Sequence, residues 1–218
     1  YRNSDFFFSN CVIIAESSID CSVINTLLEM RKIDAETCGI SFIPTDGEKS
    51  IKYPYALAKE LSIPFVCVVD MDVFVPYKGD NRNSSLDQNG LPMYRFEKKE
   101  SSPIYDILKN QDGDQIVQFL KNGKYQKALD ALESYNIISM RYGLEVDLAS
   151  CSSYQKAFYD FLSIPEDGRN LRNLLVNYEK RIKKLDILKT VISEGPKNNL
   201  PISYRRIISM IKAMLGNL

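Results

Sequence analysis

"FVCVVDMDVF" (Phe65–Phe74) decides how the rest of the chain is read. An apolar run, Phe65 to Val69, ends on Asp70, and Asp72 follows two residues further on. Short apolar runs rich in β-branched residues are typical of strands covered on both faces. A carboxylate leaving water needs a partner, and no basic residue stands beside this pair in the chain. Whatever balances Asp70 and Asp72 must come from elsewhere in the fold.

Working upstream, "CVIIAE" (11–16) is a second run of the same kind. "SSIDCSVINTLLEMRKI" follows, with Ile19, Val23, Ile24, Leu27 and Leu28 at helical spacing. Gly39 marks the return, and "ISFIP" (40–44) reads as a strand. "TDGEKS" (45–50) is a turn, Tyr55, Ala58 and Leu61 line a second helix, and Pro64 opens the strand quoted above. Strand, helix, strand, helix, strand with short connections predicts a parallel sheet with right-handed crossovers.

Downstream the pattern changes. "YKGDNRNSSLDQNGLP" (77–92) is a polar loop, and 104–136 reads as two or three short helices. "IISMRYGLEVDL" (137–148) returns to strand character; 152–162, 169–192 and 203–215 read as helices. The expected organisation is an α/β core over 1–103, a helical insertion over 104–136, and completion of the core with C-terminal helices over 137–218. Lys180, Arg181, Lys183 and Lys184 cluster, the ordinary pattern of a solvated helix face, with phosphate contact as the minority reading.

In open parallel sheets, ligands bind beyond the carboxyl ends of the strands. Three predicted strands bring acids to that edge: Glu16 with Asp20, Asp70 with Asp72, and Glu145 with Asp147. Each also has a plainer reading. Asp20 suits the first turn of a helix, Asp70 and Asp72 could cap the next segment, and Glu145 and Asp147 follow Gly143 in what could be a loop. Taken jointly, several carboxylates in one crevice repel unless cations stand between them. A hard divalent ion, Mg²⁺ or Mn²⁺, is the natural counterpart of an all-oxygen donor set.

Bulk features narrow the chemistry. The chain has no histidine, which removes His general bases, His triads and most zinc sites. Its five cysteines are odd in number and lack CxxC spacing, which favours a reducing cytoplasm over a disulfide framework. No apolar run reaches transmembrane length, so no membrane partner is expected. Net charge is zero, but residues 1–100 carry 11 Lys and Arg against 15 Asp and Glu, and the remainder 17 against 13. An acidic half joined to a basic half can set a metal site beside a phosphate-binding surface.

"VIIAESSID", "GISFIPTDGEKS" and "LSIPFVCVVDMD", in that order, resemble the Toprim domain, and most closely that of the overcoming-lysogenisation-defect (OLD) family of nucleases. The family's motif order maps onto Glu16 and Asp20, then Gly47 with Lys49, then Asp70 with Asp72, then Gly143-Leu144-Glu145-Val146-Asp147. Ser17 stands where the family usually has glycine. The resemblance covers roughly residues 5–210. It implies a metal-dependent DNA nuclease with two cations about 4 Å apart that activate water and stabilise the leaving oxygen.

The ligand set it implies is Glu16, Asp20, Asp70, Asp72 and Glu145, with Asp70 bridging and Asp147 as a helper. The catalytic set is Glu16, Asp70 and a lysine, with Lys197 in "EGPKNNLP" the first candidate and Lys49 the second. It also implies DNA as partner, an ATPase domain earlier in the same polypeptide, a homo-oligomer, and a part in defence against phage. Two rivals remain: a haloacid-dehalogenase-type phosphatase with Asp70 as nucleophile, and a Toprim-shaped interaction module without catalysis.

Overall fold

The computed structural model describes residues 4–216; Tyr1 to Asn3 and the last two residues of the expected 137–218 segment lie outside them. β1 (Cys11–Ala15) leads through α1 (Ser18–Met30) to β2 (Ile40–Pro44), then through α2 (Lys52–Glu60) to β3 (Phe65–Val69). The helices α3 (Ile104–Ile107), α4 (Asn110–Lys121) and α5 (Tyr125–Glu133) stand between β3 and β4 (Ile137–Ser139). After β4 come α6 (Leu144–Ser150), α7 (Ser152–Phe161), α8 (Leu171–Asn177), α9 (Glu179–Ile182), α10 (Leu185–Glu194) and α11 (Ile202–Leu215). The sheet is wholly parallel, in the order β2-β1-β3-β4.

The apolar runs of β1 and β3 are explained by helices on both faces. Cys11, Ile13, Ala15, Val66, Val68 and Ile138 pack with α1, α6, α7, α10 and α11. Val12, Ile14, Phe65, Cys67, Val69 and Ile137 pack with α2, α4 and α5 on the other face. Successive side chains alternate between the two cores, so no position in either strand meets solvent.

Two expectations change in detail. Strand character over 137–148 is confined to Ile137–Ser139; Gly143 turns the chain at φ +145°, and a helix starts at Leu144. Glu145 and Asp147 therefore sit in the first turn of α6 rather than at a strand end. The single helical stretch over 169–192 is three helices, α8, α9 and α10, with breaks around Tyr178 and Lys183-Lys184. Among the described residues no helix is long and apolar enough to cross a membrane.

Candidate metal centre

Strand register sets the first contact. β1 and β3 align Ala15 with Val68, so Glu16 emerges level with the end of β3. Its Oε1 accepts a hydrogen bond from the Asp70 amide at 2.8 Å. The turn after β2 is tied to the same place: Thr45 N donates to Ala15 O at 2.9 Å and Gly47 N to Glu16 O at 3.0 Å. That turn carries Glu48 close enough for its charge to act on Glu16 and Asp72.

Asp20 arrives by helix capping. Ser17 has an extended backbone (φ −140°, ψ 165°), so glycine is not required there. Its hydroxyl accepts from the Asp20 amide at 3.2 Å and donates to the Asp20 carboxylate at 2.8 Å. Glu145 reaches the same edge from the first turn of α6. Gly143, just before it, is where a Cβ would stand 3.1 Å from Asp70 Oδ2, and its positive φ adds a second reason for glycine.

These carboxylates act on one another. Burial, then the charges of Asp72, Asp20 and Glu48, pushes Glu16 up to about 7, against the hydrogen bond from Asp70. Burial and the neighbouring Glu16, Glu145, Asp20 and Asp72 hold Asp70 well above the usual carboxylate range. Asp20 is raised by burial and by Glu145 despite its bonds to Ser17. Asp72 is raised by burial although Lys99 and the Tyr77 hydroxyl favour its charge. Stacked acids of this kind call for positive charge between them.

The donor set, all carboxylate oxygen, suits a hard divalent cation. Among the described residues no group of three acids or thiols is closed into a coordination shell. Four of the acids are engaged with protein donors: Glu16 with the Asp70 amide, Asp20 with the Ser17 hydroxyl, Asp72 with the Tyr77 hydroxyl, and Glu145 with Arg82 Nη1 at 2.5 Å.

Asp147, expected as a helper ligand, serves a different purpose. It is 5% exposed and accepts from the Arg141 amide (2.8 Å), the Tyr142 amide (2.9 Å) and the Ser203 hydroxyl (2.9 Å). It locks the 141–147 turn to α11. Asp147→Ala would leave these donors buried and unpaired, at a cost of about 3 kcal/mol. Its midpoint of thermal unfolding should fall by roughly 6–12 °C. An unchanged midpoint would return Asp147 to the candidate ligands.

Lys197 does not join the acids. Its carbonyl accepts a hydrogen bond from Arg31, which caps the C-terminal end of α1, whereas Asp20 lies in the first turn of that helix. At 1.5 Å per residue Asp20 and Arg31 are separated by roughly 16 Å along α1. Lys49 is exposed on the turn after Gly47.

The lysine that meets the cluster is Lys99, whose Nζ lies 2.7 Å from Glu48 Oε2 and whose charge lowers the proton affinity of Asp72. Arg82, from the polar loop, and Lys183, 4.0 Å from Glu145 Oε1 and 2.6 Å from Glu179, add positive charge on the α6 side. Nothing in the spacing marked Lys99 or Arg82, which lie in irregular segments. Glu48 had a signal, since it stands between Gly47 and Lys49 in the turn already singled out.

Residues 7–72 match the family model described as overcoming lysogenization defect protein-like, TOPRIM domain. This stretch is similar to an OLD-like Toprim domain. The matched span takes in Glu16, Asp20, Glu48, Asp70 and Asp72. The C-terminal region of the Xanthomonas campestris pv. campestris OLD protein is similar in fold, with a TM-score of 0.56 and 17% identity over 96% of this chain and 97% of that one. The C-terminal region of the Burkholderia pseudomallei OLD protein is similar at 0.55 and 16%, over 96% and 100% of the two chains. No curated protein matches in sequence. The likeness in fold to those C-terminal regions extends past the matched residues, through the helices between β3 and β4 and on to α11.

Proposed function

We propose that this Toprim domain hydrolyses DNA phosphodiesters with Mg²⁺ or Mn²⁺ as cofactor, two ions to a site. The observation that carries the reading is the meeting of Glu16, Asp20, Asp70 and Asp72 at one sheet edge, with Glu145 alongside. Those five residues would hold the metal, and the metal would supply an activated water and a counter-charge for the leaving oxygen.

The chain's own contributions are definable. Asp70 and Glu16 fix each other through the 2.8 Å amide contact, and Gly143 leaves room for Asp70. Lys99 is the candidate for offsetting charge on the phosphate, in place of Lys197. The phosphatase alternative leaves Glu16, Asp20 and Glu145 without a task, and the charge coupling of these three acids to Asp70 favours the metal reading.

Supercoiled plasmid incubated with the chain and Mn²⁺ should be converted to open circles, and EDTA should stop it. Absence of nicking in Mg²⁺ and Mn²⁺ would leave the non-catalytic interaction module standing. Lys99→Ala should slow nicking by about 10²-fold. Lys197→Ala should leave the rate unchanged, and the opposite pattern would restore Lys197. A cytoplasmic location, an ATPase domain ahead of this one in the polypeptide, oligomerisation and a role in phage defence belong to the same proposal. They are supported by the family resemblance and by the similar structures being C-terminal regions of OLD proteins.

A further inference from the structure

Beside the acids lies a groove of about 390 Å³ whose lining differs in kind from theirs. Met71, which stands between Asp70 and Asp72, forms part of its wall. Its wall also carries four aromatic rings, Tyr94, Phe96, Tyr125 and Tyr142, and three basic groups, Lys78, Lys121 and Arg141. The one carboxylate in the lining, Asp87, spends Oδ1 on the amides of Asn89 and Leu91.

Part of this aromatic set has a structural task. Tyr77, Tyr94 and Tyr142 form a stack, with ring centroids 5.2 and 6.4 Å apart and planes inclined by 22° and 18°. Tyr94 also donates to the Tyr142 carbonyl at 3.3 Å, so the stack pins the polar loop to the chain after β4. What the stack does not explain is Phe96, 42% exposed and paired with no other ring among the described residues. Nor does it explain Arg141, exposed, with its guanidinium 5.9 Å from the Tyr125 ring and 5.4 Å from the Tyr142 ring.

We propose that this groove binds one or two unpaired nucleotides of a DNA strand whose neighbouring phosphate lies over the acids. The volume falls in the range of roughly 300–1,000 Å³ typical of small-ligand sites. An unpaired base offers a bare π-face to Phe96, whereas a duplex keeps its faces stacked on each other. Arg141, Lys78 and Lys121 offer charge to the backbone of the same strand. The preferred substrate is therefore DNA with a single-stranded segment at the cut. The proposal rests on the nuclease reading for the position of the scissile phosphate, but not for the binding itself.

The test uses the chain in Ca²⁺ with a fluorescein-labelled 12-nucleotide dT strand and a blunt duplex of equal length, read by anisotropy. The single strand should bind at least about tenfold more tightly. Phe96→Ala should weaken that binding roughly tenfold, and Arg141→Ala should weaken it and reduce the salt slope by about one. Phe96 is at the surface, so its variant should keep the wild-type unfolding midpoint, which separates lost stacking from lost structure. Equal affinity for strand and duplex, or single-strand affinity untouched by both substitutions, would overturn the groove. If single-strand binding depends on Phe96 but plasmid is never nicked, the groove stands and the nuclease reading falls. If plasmid is nicked without a single-strand preference, the groove falls and the nuclease reading stands.

Discussion

Asp70→Asn should abolish plasmid nicking in Mg²⁺ and Mn²⁺, with a loss on the order of 10³-fold. Asp70 is buried, its carboxyl is held well above the usual carboxylate range, and four other carboxylates act on it. The amide is close to isosteric and keeps the backbone N–H that Glu16 accepts, so the fold at β3 should survive. It removes the charge through which the cluster attracts a cation. Mg²⁺ should raise the unfolding midpoint of the wild type and not that of the variant, a readout independent of cleavage. Retained nicking with wild-type metal dependence would remove Asp70 from the centre of the site.

In EDTA, the wild-type chain should become more stable, not less, as pH falls from 8 toward 5. Glu16 in the folded protein is pushed up to about 7 from an ordinary 4.5, and Asp70, Asp20 and Asp72 are raised as well. Between the unfolded and folded values the native state binds more protons, so stability falls as pH rises through that window. Above 7 the full penalty is present; below about 4.5 the Glu16 contribution to it is gone.

For Glu16 alone this corresponds to about 2 kcal/mol after allowance for its partial solvent contact. In a chain of this length the midpoint should move by roughly 4–8 °C. A divalent ion takes the place of the proton, so 10 mM Mg²⁺ should raise the midpoint at pH 8 and do little at pH 5. A midpoint that falls on acidification from 8 to 5.5 would contradict the cluster. So would one that ignores EDTA at pH 8.

The sheet was open to reading because its information is local. Alternating burial of β1 and β3 in two helix layers requires an apolar side chain at every position, and that leaves unbroken runs in the sequence. The acids directly after such runs, Glu16 and Asp70, are placed by the run itself. Asp20 follows from the Ser17 cap three residues before it, and Asp72 from the turn beginning at Asp70. Asp147 was not separable from Glu145 by spacing. Both stand in one helical turn, and only the amides of Arg141 and Tyr142 with Ser203 mark Asp147 as structural.

By itself, the sequence determined the parallel α/β core, the strand-end acids and the absence of any histidine chemistry. Tertiary structure decided which charges stand against them. Lys99, Arg82 and Glu48 come from a turn and irregular loops, where position depends on packing across long separations rather than on periodicity. It likewise sent Lys197 to the far end of α1, since helix direction, not sequence distance, sets which end of the sheet a later segment meets.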